Sequence, residues 1–461
     1  MAERYDLTVL GGGPGGYVAA IRGAQLGLRV ALVERGDLGG VCLNWGCIPT
    51  KALLKSAEVL ETCRRAEEFG VTVGPAKPDL DAIFDRKDAI VAKLRSEVEK
   101  LLRKRSVEIV RGEGTLRAPG EVEVAASDTR VSIESDRVIV ATGSKPLVPG
   151  AFPYDGRHVV TSRDILAMRE IPERVLVVGA GAVGCEFAGF YAAIGRRVTL
   201  VEMLPEILPG EDPSAARLLR TVFKRQGIDV RAGTKVESIT VGQGGAVTVV
   251  LEESDAVEVD LVLLAMGRRP VSAEAGLSDL GVEVESGAVK VNEKMETSVD
   301  GVHAIGDLVG GWLLAHVASR EGIVAASQAA GKGVVMDYRA VPRCTFTHPE
   351  IASVGVTEAE AKERGLSIDT GRFPMAASGK AQAGGETLGF VKILSESGTG
   401  KVVGGVIAGP HASDLIHEIA LAVELGIGVD RLANMIHAHP TLAETVMEAA
   451  EAVEKLSVHS L

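Results

Sequence analysis

Residues 39–51 read GGVCLNWGCIPTK, and Cys42 and Cys47 carry more chemical meaning than any other pair in the chain. They follow a glycine-rich turn, Gly11, Gly13 and Gly16, of the kind that receives a dinucleotide. A cysteine pair beside such a turn points to two electrons passing between a disulfide and a flavin or nicotinamide. Zinc is the weaker reading, because it wants four ligands and no second close Cys or Cys/His pair stands elsewhere. A structural disulfide suits small secreted domains, whereas this chain has 461 residues and five cysteines, an odd number.

Spacing sharpens the reading. At i,i+5 a regular helix would splay the two side chains by about 140°, and a disulfide needs Cβ atoms about 3.8 Å apart. Residues 42–47 are therefore not regular helix throughout, and Gly39, Gly40 and Gly46 supply the freedom to bend. Lys51 stands one helical turn beyond Cys47, where a cation would favour the reactive thiolate. A solvated surface lysine is the plainer alternative. Near the C-terminus, His437-Ala438-His439-Pro440-Thr441-Leu442-Ala443-Glu444 offers a histidine able to move thiol protons and a carboxylate to orient its ring. Alone that motif is weak, because most histidines serve structure. His316 and His348 sit beside apolar or proline positions and read as packing groups.

The elements that position these groups come from an internal repeat. DLTVLGGGPGGYVAAIRGAQLGLRVALVE (6–34) returns as RVLVVGAGAVGCEFAGFYAAIGRRVTLVE (174–202). Each copy is a strand, a GxGxxG turn, a helix and a second strand ending in Glu. The first glycines, Gly11 and Gly179, allow the turn; Gly13 and Gly181 let backbone approach a pyrophosphate; Gly16 and Gly184 let the helix pack on the strand. The acid follows the last glycine by 18 residues in both copies, at Glu34 and Glu202, close to the spacing that grips a ribose. One such motif is weak; two with matching context are strong. Met203, Leu204 and Pro205 after Glu202 include no arginine for a 2′-phosphate, so the soluble cofactor is NAD rather than NADP. The cysteines follow the first copy, which therefore takes FAD and leaves NAD to the second.

Alternating patterns after each copy predict strands near 107–112, 121–125, 129–133 and 137–141, and near 235–240, 246–252 and 257–265. Residues 81–105 read as a charged amphipathic helix. The last part carries strands near 351–355, 367–373, 388–394 and 401–408, then helices near 412–425 and 441–456. Proline clusters and turns place boundaries near 149, 271 and 342. The fold class is α/β: two Rossmann-like dinucleotide-binding domains with β-meanders (1–149 and 150–271), a central segment (272–342) and a C-terminal α+β domain (343–461).

Sixty-two acidic against 50 basic residues give a net charge of −12, which argues against nucleic acid as partner. The longest apolar stretch, Val175 to Ile194, is broken by four glycines and Glu186, so no membrane span is expected. A first strand starting at Tyr5 leaves no room for a leader, and few cysteines fit a reducing compartment, so the cytoplasm is the expected location. No metal is expected.

These stretches together resemble the flavin-dependent pyridine nucleotide–disulfide oxidoreductases over essentially the whole chain. The matching segments also include ATGSKP (141–146), GRRP (267–270), AIGD (304–307), LLAHVASREG (313–322) and THPEIASVG (347–355). The resemblance implies that Cys42 is the interchange thiol and Cys47 the thiol beside the flavin. Lys51 corresponds to the lysine near the flavin, and Glu186 to the glutamate paired with it. FAD would be held by Gly11, Gly13, Gly16, Glu34, Lys51, Gly114, Thr142, Gly143, Asp307, Leu314, Ala315 and His316, with residues 272–342 completing its site. NAD would be held by Gly179, Gly181, Gly184, Glu202 and Gly267. His439 and Glu444 would form a base pair acting on the disulfide of the other subunit of a homodimer, with 343–461 as the dimerisation domain. The resemblance is nearest to members that oxidise dihydrolipoyl groups with NAD. It implies lipoyl domains of 2-oxoacid dehydrogenase or glycine cleavage complexes as partners. Another NAD-linked flavin disulfide reductase with a different substrate is the alternative. Trp45, Thr50, Cys185 and Arg320 depart from the common pattern, and Trp45 raises a question about substrate access.

Overall fold

The computed structural model describes residues 3–126, 129–252 and 255–459. Each copy of the repeat builds the centre of a parallel sheet whose strands are covered on both faces, which is why they read as unbroken apolar runs. In the first sheet the order is Glu108–Arg111, Val30–Glu34, Glu3–Leu10, Thr129–Val140, Glu121–Ala126 and Glu113–Ala118, and Val302–Ala304 pairs alongside Thr129–Val140. The second sheet runs Asp229–Ala232, Arg197–Glu202, Arg174–Val178, Leu261–Leu264 and Val159–Thr161. A five-stranded sheet, Arg343–Thr345, Glu350–Gly355, Val402–Gly409, Phe390–Glu396 and Ile368–Pro374, forms the C-terminal part. Its helices include Ala412–Leu425, Val429–Ala433 and Glu444–Val453. The fold class is α/β, as the alternating pattern implies.

The two glycine turns are geometric copies. Gly11 and Gly179 have φ of +104° and +97°, which glycine alone adopts easily. A Cβ on Gly16 would lie 1.8 Å from Gly11 O, and one on Gly184 would lie 1.9 Å from Gly179 O. Helices Pro14–Gln25 and Ala182–Ala193 thus press their first turns onto the preceding strand ends. Helix Ala315–Ala329 then seats on Pro14–Gln25 through another tight approach, since a Cβ on Gly322 would meet Gly15 O at 2.4 Å.

Several sequence expectations need correction. Residues 129–133 and 137–141 are one strand, Thr129–Val140, which pairs antiparallel to Glu121–Ala126 at its start and parallel to Glu3–Leu10 along its later part. The strand Glu113–Ala118 was not anticipated. The run 257–265 divides at Asp260, whose carboxylate accepts from Arg174 N at 3.0 Å. Val257–Val259 therefore joins a three-stranded meander while Leu261–Leu264 enters the parallel sheet. The last helix is Glu444–Val453 rather than 441–456: Thr441 N is spent on the Glu444 side chain at 2.8 Å, and Lys455 has φ of +60°.

One core cluster joins all three parts. Leu53, Ala57 and Phe84 from the first unit pack with Phe187, Phe190 and Tyr191 from the second and with Ile351, Phe390 and Val406 from the C-terminal sheet. Burying each such aromatic is worth about 1.5–3 kcal/mol, so the three units are held firmly around the region where the cysteines lie.

Candidate active site

The cysteine segment is two helices with a break. Gly40–Trp45 ends at Gly46, whose φ and ψ of −146° and −113° leave helical geometry, and Cys47–Arg64 begins at the next residue. Cys42 and Cys47 are free thiols in hydrogen-bonding contact across that break. The Cys42 S–H donates to Cys47, which lowers the Cys47 thiol to about 7; the Lys51 cation adds to this, against the cost of burial. Cys47 also opens a helix, whose N-terminus favours a thiolate. Cys42 is pushed up by the same bond and then by burial. Tyr17, on the dinucleotide helix, lies near enough to Cys42 for its phenol to be raised by burial and by that thiol.

Lys51 is not a solvated lysine. Its Nζ donates to Glu186 Oε2 at 2.8 Å and Oε1 at 3.0 Å, and lies 4.3 Å from the centre of the Phe346 ring. Glu186 is buried, and Phe346 N donates to its Oε1 at 3.0 Å. One carboxylate on Ala182–Ala193 therefore gathers a side chain from the cysteine helix and a backbone N–H from just beyond Arg343–Thr345. Trp45 turns toward the second unit, where the Arg163 guanidinium stacks over its ring at 4.7 Å.

The remaining predicted positions fall into three groups. Glu34 sits at the end of Val30–Glu34 and accepts from Gly12 N at 2.6 Å and Gly36 N at 2.7 Å. Glu202 repeats this with Ala180 N at 2.7 Å and Leu204 N at 2.9 Å. Each carboxylate keeps spare lone pairs for ribose hydroxyls. Both dinucleotide helices lack a side-chain cap, and a Cβ on Gly13 would find its nearest neighbour at 3.9 Å, on Gly181 none within 4 Å. Open space over uncapped N–H groups fits a pyrophosphate in both turns. Gly114 packs against Leu10 and Val33, at the C-terminal ends of the strands.

In the second group, Thr142 Oγ1 donates to Val271 O at 2.7 Å and Gly143 O accepts from Val271 N at 2.9 Å, tying Ser144–Pro146 to Arg268–Pro270 beside Gly267. The Ser144 hydroxyl donates to Asp307. Leu314, Ala315 and His316 open helix Ala315–Ala329, and His316 Nε2 donates to Pro342 O at 2.9 Å. The third group is apart: His439 Nδ1 lies 2.9 Å from Glu444 Oε1, while the side chain of His439 is 78% exposed. Among the described residues, neither cysteine bonds to His439.

Sequence reasoning missed Arg268, Phe346 and Glu321. Arg268 lies close enough to Cys47 to interact with it, and its Nε donates to Ser144 Oγ at 2.7 Å. Glu321 is buried and accepts from Gly306 N at 2.6 Å and from Tyr338 OH at 2.7 Å, bracing the residue before Asp307. Arg268 and Glu321 lie inside motifs already singled out, but their partners are distant in sequence.

Residues 5–322 match the family described as pyridine nucleotide-disulphide oxidoreductase, and residues 341–450 match its dimerisation domain. The chain belongs to this family. Among curated oxidoreductases of this kind it is 45% identical to dihydrolipoyl dehydrogenase of Thermus scotoductus, covering 100% of this chain and 99% of that one. It is 39% identical to a dihydrolipoyl dehydrogenase of Bacillus subtilis, covering 100% of both. Among solved oxidoreductases, LpdA from Mycobacterium tuberculosis superposes with a TM-score of 0.91 at 31% identity, covering 98% of this chain and 99% of that one. The HOCl-induced flavoprotein disulfide reductase RclA of Escherichia coli, solved as a Cu(II) complex, gives 0.88 at 26%, covering 98% and 99%. The family uses FAD and NAD, and the two open turns fit both. No described helix is long and apolar enough to cross a membrane.

Proposed function

We propose that this oxidoreductase converts dihydrolipoyl groups to the lipoyl disulfide and reduces NAD. Its substrates are lipoyl domains of 2-oxoacid dehydrogenase or glycine cleavage complexes. The observation that carries the reading is the cysteine pair, with Cys47 biased to thiolate, beside the Lys51–Glu186 pair that joins the two nucleotide units. Full-length relatives named dihydrolipoyl dehydrogenase support the substrate.

In this reading residues 1–149 and 272–342 hold FAD, 150–271 hold NAD, and 343–461 join two subunits. Gly11, Gly13, Gly16, Glu34, Asp307 and the start of Ala315–Ala329 grip FAD, and Gly179, Gly181, Gly184 and Glu202 grip NAD. With the pair oxidised, a substrate thiolate attacks the Cys42 sulfur, and the S–S bond breaks to release Cys47 as thiolate. The second substrate thiol then displaces Cys42, leaving the lipoyl disulfide and a reduced pair. The exposed His439 ring, oriented through Nδ1 by Glu444, takes the substrate proton on Nε2 and serves the cysteines of the partner subunit. Lys51 stabilises the Cys47 thiolate. Bound FAD would accept the electron pair from the reduced cysteines and pass it to NAD as hydride.

A steady-state assay tests this. Turnover with dihydrolipoamide and NAD is expected, with little turnover of glutathione disulfide by NADPH. The reverse preference would sink the substrate reading and favour another disulfide reductase of the family.

A further inference from the structure

The chemistry above gives no role to the first histidine of HAHPTLAE. The His437 side chain is 4% exposed within a single chain, unlike the exposed His439 two residues on. Both of its ring nitrogens are engaged. Nδ1 lies 3.0 Å from Met435 O, and Nε2 lies 2.8 Å from Glu418 Oε1 on helix Ala412–Leu425. A backbone carbonyl only accepts. The Glu418 side chain is 22% exposed, so water also reaches its carboxyl group. A neutral imidazole has one N–H and would satisfy one of these acceptors; an imidazolium satisfies both.

The setting makes that anchor matter. Within a single chain Met435 and Ile436 point outward, with Ile436 96% exposed, so apolar packing inside the subunit does not hold the stretch that leads to His439. Among the described residues, the charged and titratable groups near His437 include Glu418 on the helix, and Glu444 and His439 beyond it on its own segment. Burial pushes the Glu444 carboxyl up, but Thr441 N–H, His439 and His437 together outweigh this and leave it below the usual range.

We propose that His437, clasped between Met435 O and Glu418, is a positioning residue for His439. Its two ring contacts fix the path of residues 435–439. It also helps hold the Glu444 carboxyl below its usual range, so that Glu444 accepts from His439 Nδ1 and leaves Nε2 free as base. This rests on the proposed role of His439.

The test uses the flavin-loaded dimer with His437→Gln, Glu418→Gln and the double substitution. Two activities are read across pH: dihydrolipoamide oxidation by NAD, and NADH oxidation by ferricyanide, which bypasses thiol exchange. Losing a charge-assisted bond lowers kcat/KM for dihydrolipoamide roughly tenfold. His437→Gln takes away one of the groups that hold the Glu444 carboxyl below its usual range, so Glu444 protonates more readily and the acid limb moves to higher pH. The double variant is no worse than the worse single one, and ferricyanide turnover is retained. An acid limb unmoved in His437→Gln overturns the proposal, as does an equal fall of both activities in Glu418→Gln. His439→Ala is the control: if it leaves dihydrolipoamide turnover intact, the base assignment itself fails.

Discussion

Replacing Lys51 with methionine removes the ammonium while keeping the length of the side chain. Glu186 then loses its bonds at 2.8 and 3.0 Å and keeps the Phe346 N–H at 3.0 Å. Its side chain is 5% exposed, so the stranded charge is poorly solvated. Breaking a fully buried pair costs about 3–5 kcal/mol. Lys51 is 33% exposed, so water already screens part of the attraction, and about 2 kcal/mol is the expected loss. The same change acts on the thiol. The Cys42 bond, and then Lys51, lower Cys47 from 9.0 to about 7. A group lowered by folding adds stability above its unfolded value and loses it as pH falls through the folded one. For the reduced protein, this contribution is full above 9.0 and gone below about 7, and Lys51→Met raises that lower edge. Iodoacetamide alkylation of Cys47 against pH, read by peptide mass, reports the edge; thermal unfolding reports the carboxylate. Adding Glu186→Gln removes the stranded charge and recovers most of the lost stability. An alkylation profile that stays in place, or a double variant as unstable as the single, refutes the electrostatic link.

The two glycine collisions give a matched pair of tests. Gly16→Ala puts a methyl 1.8 Å from Gly11 O and Gly184→Ala one 1.9 Å from Gly179 O. The first should cost flavin content, seen in the visible spectrum. The second should stay yellow yet resist reduction by NADH, and normal reduction would count against the assignment of the second turn. Glu202→Arg removes the acceptor from Ala180 N and Leu204 N and raises KM for NAD roughly tenfold, the scale of a lost bond to a charged group. NADP use should gain relative to NAD; an unchanged ratio of the two dinucleotides contradicts the role given to that carboxylate.

Local geometry was legible in the sequence where it repeats or where one residue type is obligatory. The two copies could be aligned residue by residue, and the carboxylate forks of Glu34 and Glu202 fall on matching donors, Gly12 and Gly36 against Ala180 and Leu204. The bend between the cysteines was readable from angular spacing, and it falls at Gly46. Strand boundaries were less readable because one run can change partners. Thr129–Val140 looks like two strands around Ser135 and Asp136, yet the chain stays extended while its neighbours change. The bonds closing the cysteine region were hidden for another reason. Phe346 acts on Glu186 through a backbone N–H, which no side-chain pattern announces. The partner of Trp45 was hidden too: Arg163, more than a hundred residues away, draws the indole onto the neighbouring unit.

Glu186 is clasped from two other parts of the chain at once, by an ammonium on the cysteine helix and an amide beside the C-terminal sheet. A clam-like swing between the two dinucleotide halves would pull that anion out of its grip. The same clasp pins the cysteine helix to the neighbouring unit, and Phe346, lying against the lysine, closes it from the C-terminal side.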